Sequence, residues 1–258
     1  MSSTHNDPVH TEDRDGVLVI TIDRPEVRNA IDAATAEAIG TTLERFDADD
    51  RLSIAILTGA GGGFSSGMDL GAFGNGNRPR YADRGFAGMT QKAADKPLIA
   101  AVEGFAVAGG FEMAIACDLI VAARGARFAL PEVRRGLIAA AGALLRLPRR
   151  MPYHLVMELA LTGDFIDAER LYSFGVVNRV AEPGTALDVA IELARHIMAG
   201  GPLAIAATKR ILTEQQDWTL ENMWDKQDTH FRSAVETEDA REGAAAFKEG
   251  REPVWKRR

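Results

Sequence analysis

The sequence predicts an α/β fold. Short runs rich in Val, Ile, Leu and Ala recur between helical stretches, and they are apolar throughout instead of alternating, as strands are in a sheet covered on both faces. Glycine or a turn-forming residue follows several of these runs, and an aspartate precedes the first helix.

Taken in order, Val17-Leu-Val-Ile-Thr-Ile22 reads as a strand that ends in the turn-like Asp23-Arg-Pro25. Asp32 is an N-cap residue ahead of a helix that starts at Ala33 and reaches Phe46. Ser53 to Thr58 is the second strand, and a glycine-dense loop from Gly59 to Gly63 follows it. Leu98 to Val102 is the third, followed by glycine and a helix beginning near Gly109, and Leu119 to Ala123 is the fourth. Arg127 to Glu132 is a short extended segment. The stretch from Gly71 to Gly88 is too long and polar for a simple connector, so it reads either as a mobile lid or as a disordered surface loop. After Gly200 the strand signals stop and Pro202 opens a helical tail. The domain reading is therefore a core over residues 1–200 and a helical, oligomer-forming module over 201–258.

Composition narrows the function. The 258 residues suffice for one sizeable core, and 46% apolar with 26% charged residues is ordinary for a globular protein. A net charge of -7 argues against a general nucleic-acid binder, which needs clustered Lys and Arg to hold phosphates. Cys117 is the single cysteine, which excludes an intrachain disulfide and a cysteine-rich zinc site, and its apolar surroundings predict burial. Met1 to His10 lacks the basic and apolar regions of a cleaved signal, and the apolar runs are interrupted well short of the ~20 residues a spanning helix needs. The expectation is a cytoplasmic protein with no membrane partner.

Two carboxylates carry the chemistry. Glu112 falls in the first turn of the helix opened by Gly109-Gly110, where the helix dipole favours an acid. Its neighbours at helical spacing, Ile115, Ala116 and Leu119, are apolar, so the carboxylate lies on a stripe that should be buried. Glu132, followed by Arg134 and Arg135, would by itself be explained by a surface ion pair. Together they offer two carboxylates near free backbone N-H groups, the parts needed to move protons beside a thioester carbonyl and hold its negative oxygen.

The loop Gly59 to Gly67 matches only one of three other glycine-rich motifs. It fails the dinucleotide fingerprint because Ser66 stands where the third glycine belongs, and it fails the Walker loop because Met68 replaces the lysine. Gly63-Phe-Ser65-Ser-Gly67 does match a hydrolase nucleophile elbow, making Ser65 a candidate nucleophile and His154, His196 or His230 its base. The residues between Thr58 and Ser65 separate that serine from its strand, and none of the histidines has a local motif.

Gly62 to Leu70 and Ile99 to Glu112 resemble the two signature loops of the crotonase, or enoyl-CoA hydratase, superfamily. Asp23-Arg-Pro25, Arg28-Asn-Ala-Ile31, Phe128 to Glu132 and Glu238 to Gly243 are similar to further family strings, in the family's order across nearly the whole chain. The resemblance implies a spiral of ββα turns with a C-terminal helical module, assembled as a homotrimer or a dimer of trimers. It implies an oxyanion hole from the N-H groups of Ser66 and Gly109. It gives Glu112 the task of activating water at the β-carbon and Glu132 that of delivering a proton to the α-carbon. Coenzyme A, part of the substrate with no other cofactor or metal implied, is expected against Arg24, Arg28 and Ala30, with Met68, Asp69 and Leu70 near the adenine. Both acids point to an enoyl-CoA hydratase, a carnitinyl-CoA dehydratase being the nearest alternative and isomerisation another. Three departures stand out: Ala108-Gly109-Gly110 replaces a glycine triplet, Ala139-Ala-Ala-Gly-Ala143 replaces a glycine-rich loop, and Gly250 replaces a lysine.

Overall fold

The computed structural model describes residues 7–258, so the first six residues of the Met1 to His10 segment, where no cleaved signal is expected, lie outside it. Its backbone is a mixed α/β structure in which a six-stranded sheet and a three-stranded sheet grow side by side. The larger sheet begins with β1 (Val9–Arg14) and β2 (Val17–Ile22), paired antiparallel, with Val9 opposite Ile22 and Arg14 opposite Val17. β1 is polar and exposed over most of its length, as suits an edge strand, and this is why hydrophobic pattern alone passes over it.

Helix α1 (Ala33–Ala48) starts where expected, the Asp32 carboxylate accepting from the Thr35 N-H, and buries Ile39, Leu43 and Phe46. β3 (Ile54–Gly59) then pairs parallel with β2. Short helix α2 (Leu70–Gly74) and the two-stranded pair β4 (Arg80–Tyr81) and β5 (Gly85–Phe86) occupy the polar stretch 71–88. The stretch therefore holds local structure: Arg84 is buried, its guanidinium donating to the carbonyls of Gly88 and Ala93.

A ββα unit recurs from here. β6 (Leu98–Val102) joins the large sheet, β7 (Phe105–Val107) joins the small one, and α3 (Gly109–Ala116) follows. β7 is a correction to the direct strand-to-helix passage expected after Val102; three residues are too few to show a period. β8 (Leu119–Ala123) and β9 (Arg127–Ala129) repeat the pattern, and α4 (Ala143–Arg146) and α5 (Tyr153–Thr162) complete that turn. β7 and β9 run parallel, and a bridge between Ser65 and Ala106 extends the same ladder to the loop after β3. Successive turns thus stack the loop at Ser65, the loop at Ala108 and the segment at Glu132 side by side, which is how distant sequence signals reach one place.

β10 (Phe165–Asp167), α6 (Ala168–Ser173) and β11 (Arg179–Ala181) close the two sheets. Helix α7 (Ala186–Met198) packs Ala190, Ile191 and Ala194 into the core formed by the large sheet. The tail is helical as predicted, with α8 (Pro202–Glu214), α9 (Met223–Val235) and α10 (Glu238–Glu249). Lys209 of α8 ties it down, its ammonium donating to the Ala94 and Lys96 carbonyls and pairing with Asp118 at 2.7 Å. No single helix among the described residues is long and apolar enough to cross a membrane.

Candidate active site

The stacked loops open onto a cavity of about 1330 Å³. Arg28, Ala30, Ser66, Met68, Asp69 and Leu70 line one part of it, and Gly109, Glu112 and Glu132 another. Nine of the ten site residues that the family resemblance implies therefore share one space.

Arg24 is the tenth, and it stands behind the wall. Its guanidinium donates to the Ala30 carbonyl at 2.5 Å and pairs with Asp32 and Asp69 at 3.2 and 3.3 Å. The side chain is mostly covered and its charge is already matched, so in this structure it shapes the Ala30 and Asp69 positions from behind. Asn29, within the Arg28-Asn-Ala-Ile31 string but given no role there, does comparable work. Buried with φ +54, it accepts from the Arg24 N-H and donates to the carbonyls of Ala60 and Gly63, joining the two loops. Asparagine suits the position because it tolerates a left-handed backbone and can satisfy a buried turn with its amide.

The two expected oxyanion donors differ. Gly109 opens α3, so its N-H has no intrahelical acceptor and lies at the positive end of the helix. The Ser66 N-H instead donates to the Arg28 carbonyl at 3.0 Å, which corrects the expectation that both groups stand free. The loop and the helix approach closely: Gly67 has φ +86, and a β-carbon there would sit 2.6 Å from the Gly109 nitrogen. Only glycine fits.

Glu112 is buried at 3% exposure and is gripped by the loop after β9, its Oε1 accepting from the N-H groups of Ala141 at 2.8 Å and Ala143 at 3.0 Å. The alanines that replace a glycine-rich loop thus still present the backbone donors that orient this acid. Burial pushes the Glu112 carboxyl up to about 7; the Ala143 and Ala141 donors pull back, and the charge of Glu132 adds to the rise. Glu132 lies in a 3-10 turn, Pro131–Arg135, and burial raises it too. The surface ion pair considered for Glu132 does not form: Arg134 binds Asp164 and the Thr162 carbonyl, and Glu132 Oε2 is buried without a hydrogen-bond partner. A buried, unmatched carboxylate oxygen favours a bound proton.

Ser65 lacks the geometry of a nucleophile. It is fully buried, its hydroxyl donating to the Asn29 carbonyl and accepting from the Gly67 N-H. His230 lies far along the chain in α9, bonded to Glu214 and stacked on Trp218. Cys117 is buried as predicted, and burial pushes its thiol up, which keeps it protonated and inert. Phe86, from the polar stretch 71–88, and Phe105 also line the cavity. Phe105 lies within the Ile99 to Glu112 string, whereas Phe86 carried no sequence signal beyond its aromatic character.

A cavity with paired acids beside a helix N-terminus, built on two sheets, defines an acid-base enzyme that holds a developing oxyanion. The family whose sequences are described as enoyl-CoA hydratase/isomerase matches residues 12–258. The chain belongs to that family, the crotonases. It is 42% identical to a carnitinyl-CoA dehydratase from Salmonella enteritidis, over 98% of this chain and all of that one. Among solved structures, an enoyl-CoA hydratase from Mycobacterium marinum superposes with a TM-score of 0.96 at 52% identity, covering 98% of this chain and all of the other. A carnitinyl-CoA hydratase from Mycobacterium avium gives 0.79 at 38% identity with the same coverage. The chain is thus a crotonase-family enzyme of the hydratase and dehydratase kind.

Proposed function

We propose that the protein is an enoyl-CoA hydratase that adds water across the 2,3 double bond of a 2-enoyl-CoA with a neutral acyl chain. The observation that carries this reading is that Glu112 and Glu132 line one cavity and differ in what surrounds them, one accepting two N-H bonds and the other leaving an oxygen unmatched. In the proposed reaction the Glu112 carboxylate takes a proton from water as its oxygen bonds to C3. The electron pair of the double bond moves onto the thioester oxygen, where the Gly109 N-H stabilises the enolate. Glu132 then gives its proton to C2, so that one hydrogen and one hydroxyl have been added.

The carnitinyl reading is supported by the Salmonella relative, and charge argues against it. A carnitinyl group carries a fixed trimethylammonium. The carboxylates lining the cavity are Asp69, paired with Arg24, and the two catalytic candidates, whereas Arg28, Arg78, Arg80, Arg127 and Arg135 lie on its wall, as does Arg134, paired with Asp164. Such a lining attracts the phosphates of coenzyme A and repels a cationic acyl group. Trp224, Phe231 and Val235 follow one face of α9 and are 66%, 56% and 46% exposed, which supports assembly as a homotrimer or a pair of trimers. A panel of straight-chain trans-2-enoyl-CoA thioesters and carnitinyl-CoA tests the substrate reading. Hydration of the neutral thioesters with a kcat/KM at least ~10²-fold above dehydration of carnitinyl-CoA is expected; the reverse order refutes it.

A further inference from the structure

Glu112 is held by a loop, and the loop is itself anchored from behind. Arg146, in α4, donates through one guanidinium nitrogen to the Thr90 carbonyl at 2.5 Å and through another to the Ala141 carbonyl at 3.4 Å. Its own N-H bonds the Gly142 carbonyl at 3.0 Å. Gly142 has φ +111, and a β-carbon there would overlap the Arg146 guanidinium, so the glycine leaves the room in which the cation sits. On the far side, the Thr90 N-H donates to the carbonyl of Phe86, a residue of the cavity wall. One planar group therefore joins the wall that carries Phe86 to the loop whose Ala141 and Ala143 N-H groups grip Glu112. Its positive charge also acts on Glu112, favouring the carboxylate. Arg146 itself does not line the cavity.

We propose that Arg146 is the positioning residue for Glu112, acting by clamping residues 139–143 against Thr90 and required for turnover, not for thioester binding. The proposal rests on the reading of Glu112 as the base of hydration. Arginine suits the task because its fork reaches two carbonyls at fixed angles, whereas lysine supplies a single point of charge.

The test uses the full-length protein as Arg146→Gln, Arg146→Lys and Gly142→Ala. Thermal melts check folding, and kcat, KM and the pH profile are measured with a short-chain enoyl-CoA. The titration of Glu112 is followed by carbon-13 NMR of labelled glutamate, assigned by its loss in Glu112→Gln. Arg146→Gln is expected to lower kcat on the order of 10²-fold while KM stays within about threefold, and to move the Glu112 titration upward. Arg146→Lys should keep most of the titration and still lose rate. Gly142→Ala, which leaves the charge in place, should lose rate as well. A folded Arg146→Gln with unchanged kcat and an unmoved Glu112 titration overturns the proposal, as does full rescue by lysine together with normal turnover in Gly142→Ala. If Arg146→Gln fails to fold, the other two variants decide. Failure of the wild type to hydrate any enoyl-CoA would count against the hydratase reading alone, because the NMR titration still reports whether Arg146 governs Glu112.

Discussion

Burial of Glu112 gives its pH response a definite sign. Desolvation raises the folded-state value to about 7 from an ordinary 4.5, so the proton binds the folded chain more tightly than the unfolded one. Stability contributed by this group is present at acid pH, declines as pH rises from about 4.5 to about 7, and is absent above that range. Glu112→Gln removes the titration. The variant should therefore match wild type near pH 4.5 and exceed it above pH 7 by up to roughly 3 kcal/mol, read from denaturant melts at several pH values. A stability difference independent of pH would contradict this. Glu112 was legible as a buried acid because its helical neighbours are apolar. Glu132 was legible only as half of a pair, since its flanking arginines mimic a surface ion pair that the fold breaks by turning Arg134 toward Asp164.

At the scale of single elements, the loops that carry the chemistry accept unusual backbone to come close together. Ala108, ahead of α3, has φ +52 and ψ -126, a conformation that belongs to glycine and costs other residues on the order of 1–3 kcal/mol. The missing glycine of the Ala108-Gly109-Gly110 string has thus become backbone strain at the entrance to the helix that presents Glu112. Ala108→Gly should raise stability by roughly 1 kcal/mol, about 2 °C in Tm, and leave kcat unchanged. Destabilisation by the glycine would show that the methyl group makes a contact worth more than the strain. The long parallel strands could be read from the sequence because each is a run of apolar residues. β1, β7 and the β4–β5 pair could not, being polar or two to three residues long. These short elements matter most to the site: β7 aligns the Ser65 and Ala108 loops, and β5 supplies Phe86.

Across the whole molecule, the spiral brings residues from Val27 to Phe165 to one cavity while leaving an apolar stripe on α9 exposed. The proposed burial of Trp224 and Phe231 between subunits predicts a wild-type sedimentation mass of three or six chains, and Trp224→Glu with Phe231→Glu should reduce it to one. A monomeric wild type would leave that stripe unexplained by self-association. The central claim concerns the two acids, and its most direct test is turnover of a short-chain trans-2-enoyl-CoA by wild type, Glu112→Gln and Glu132→Gln, followed as loss of the conjugated thioester absorbance. The two-acid account predicts hydration by wild type and a loss of at least ~10²-fold in kcat in each variant, with folding retained. Hydration at wild-type rate by either folded variant would contradict it.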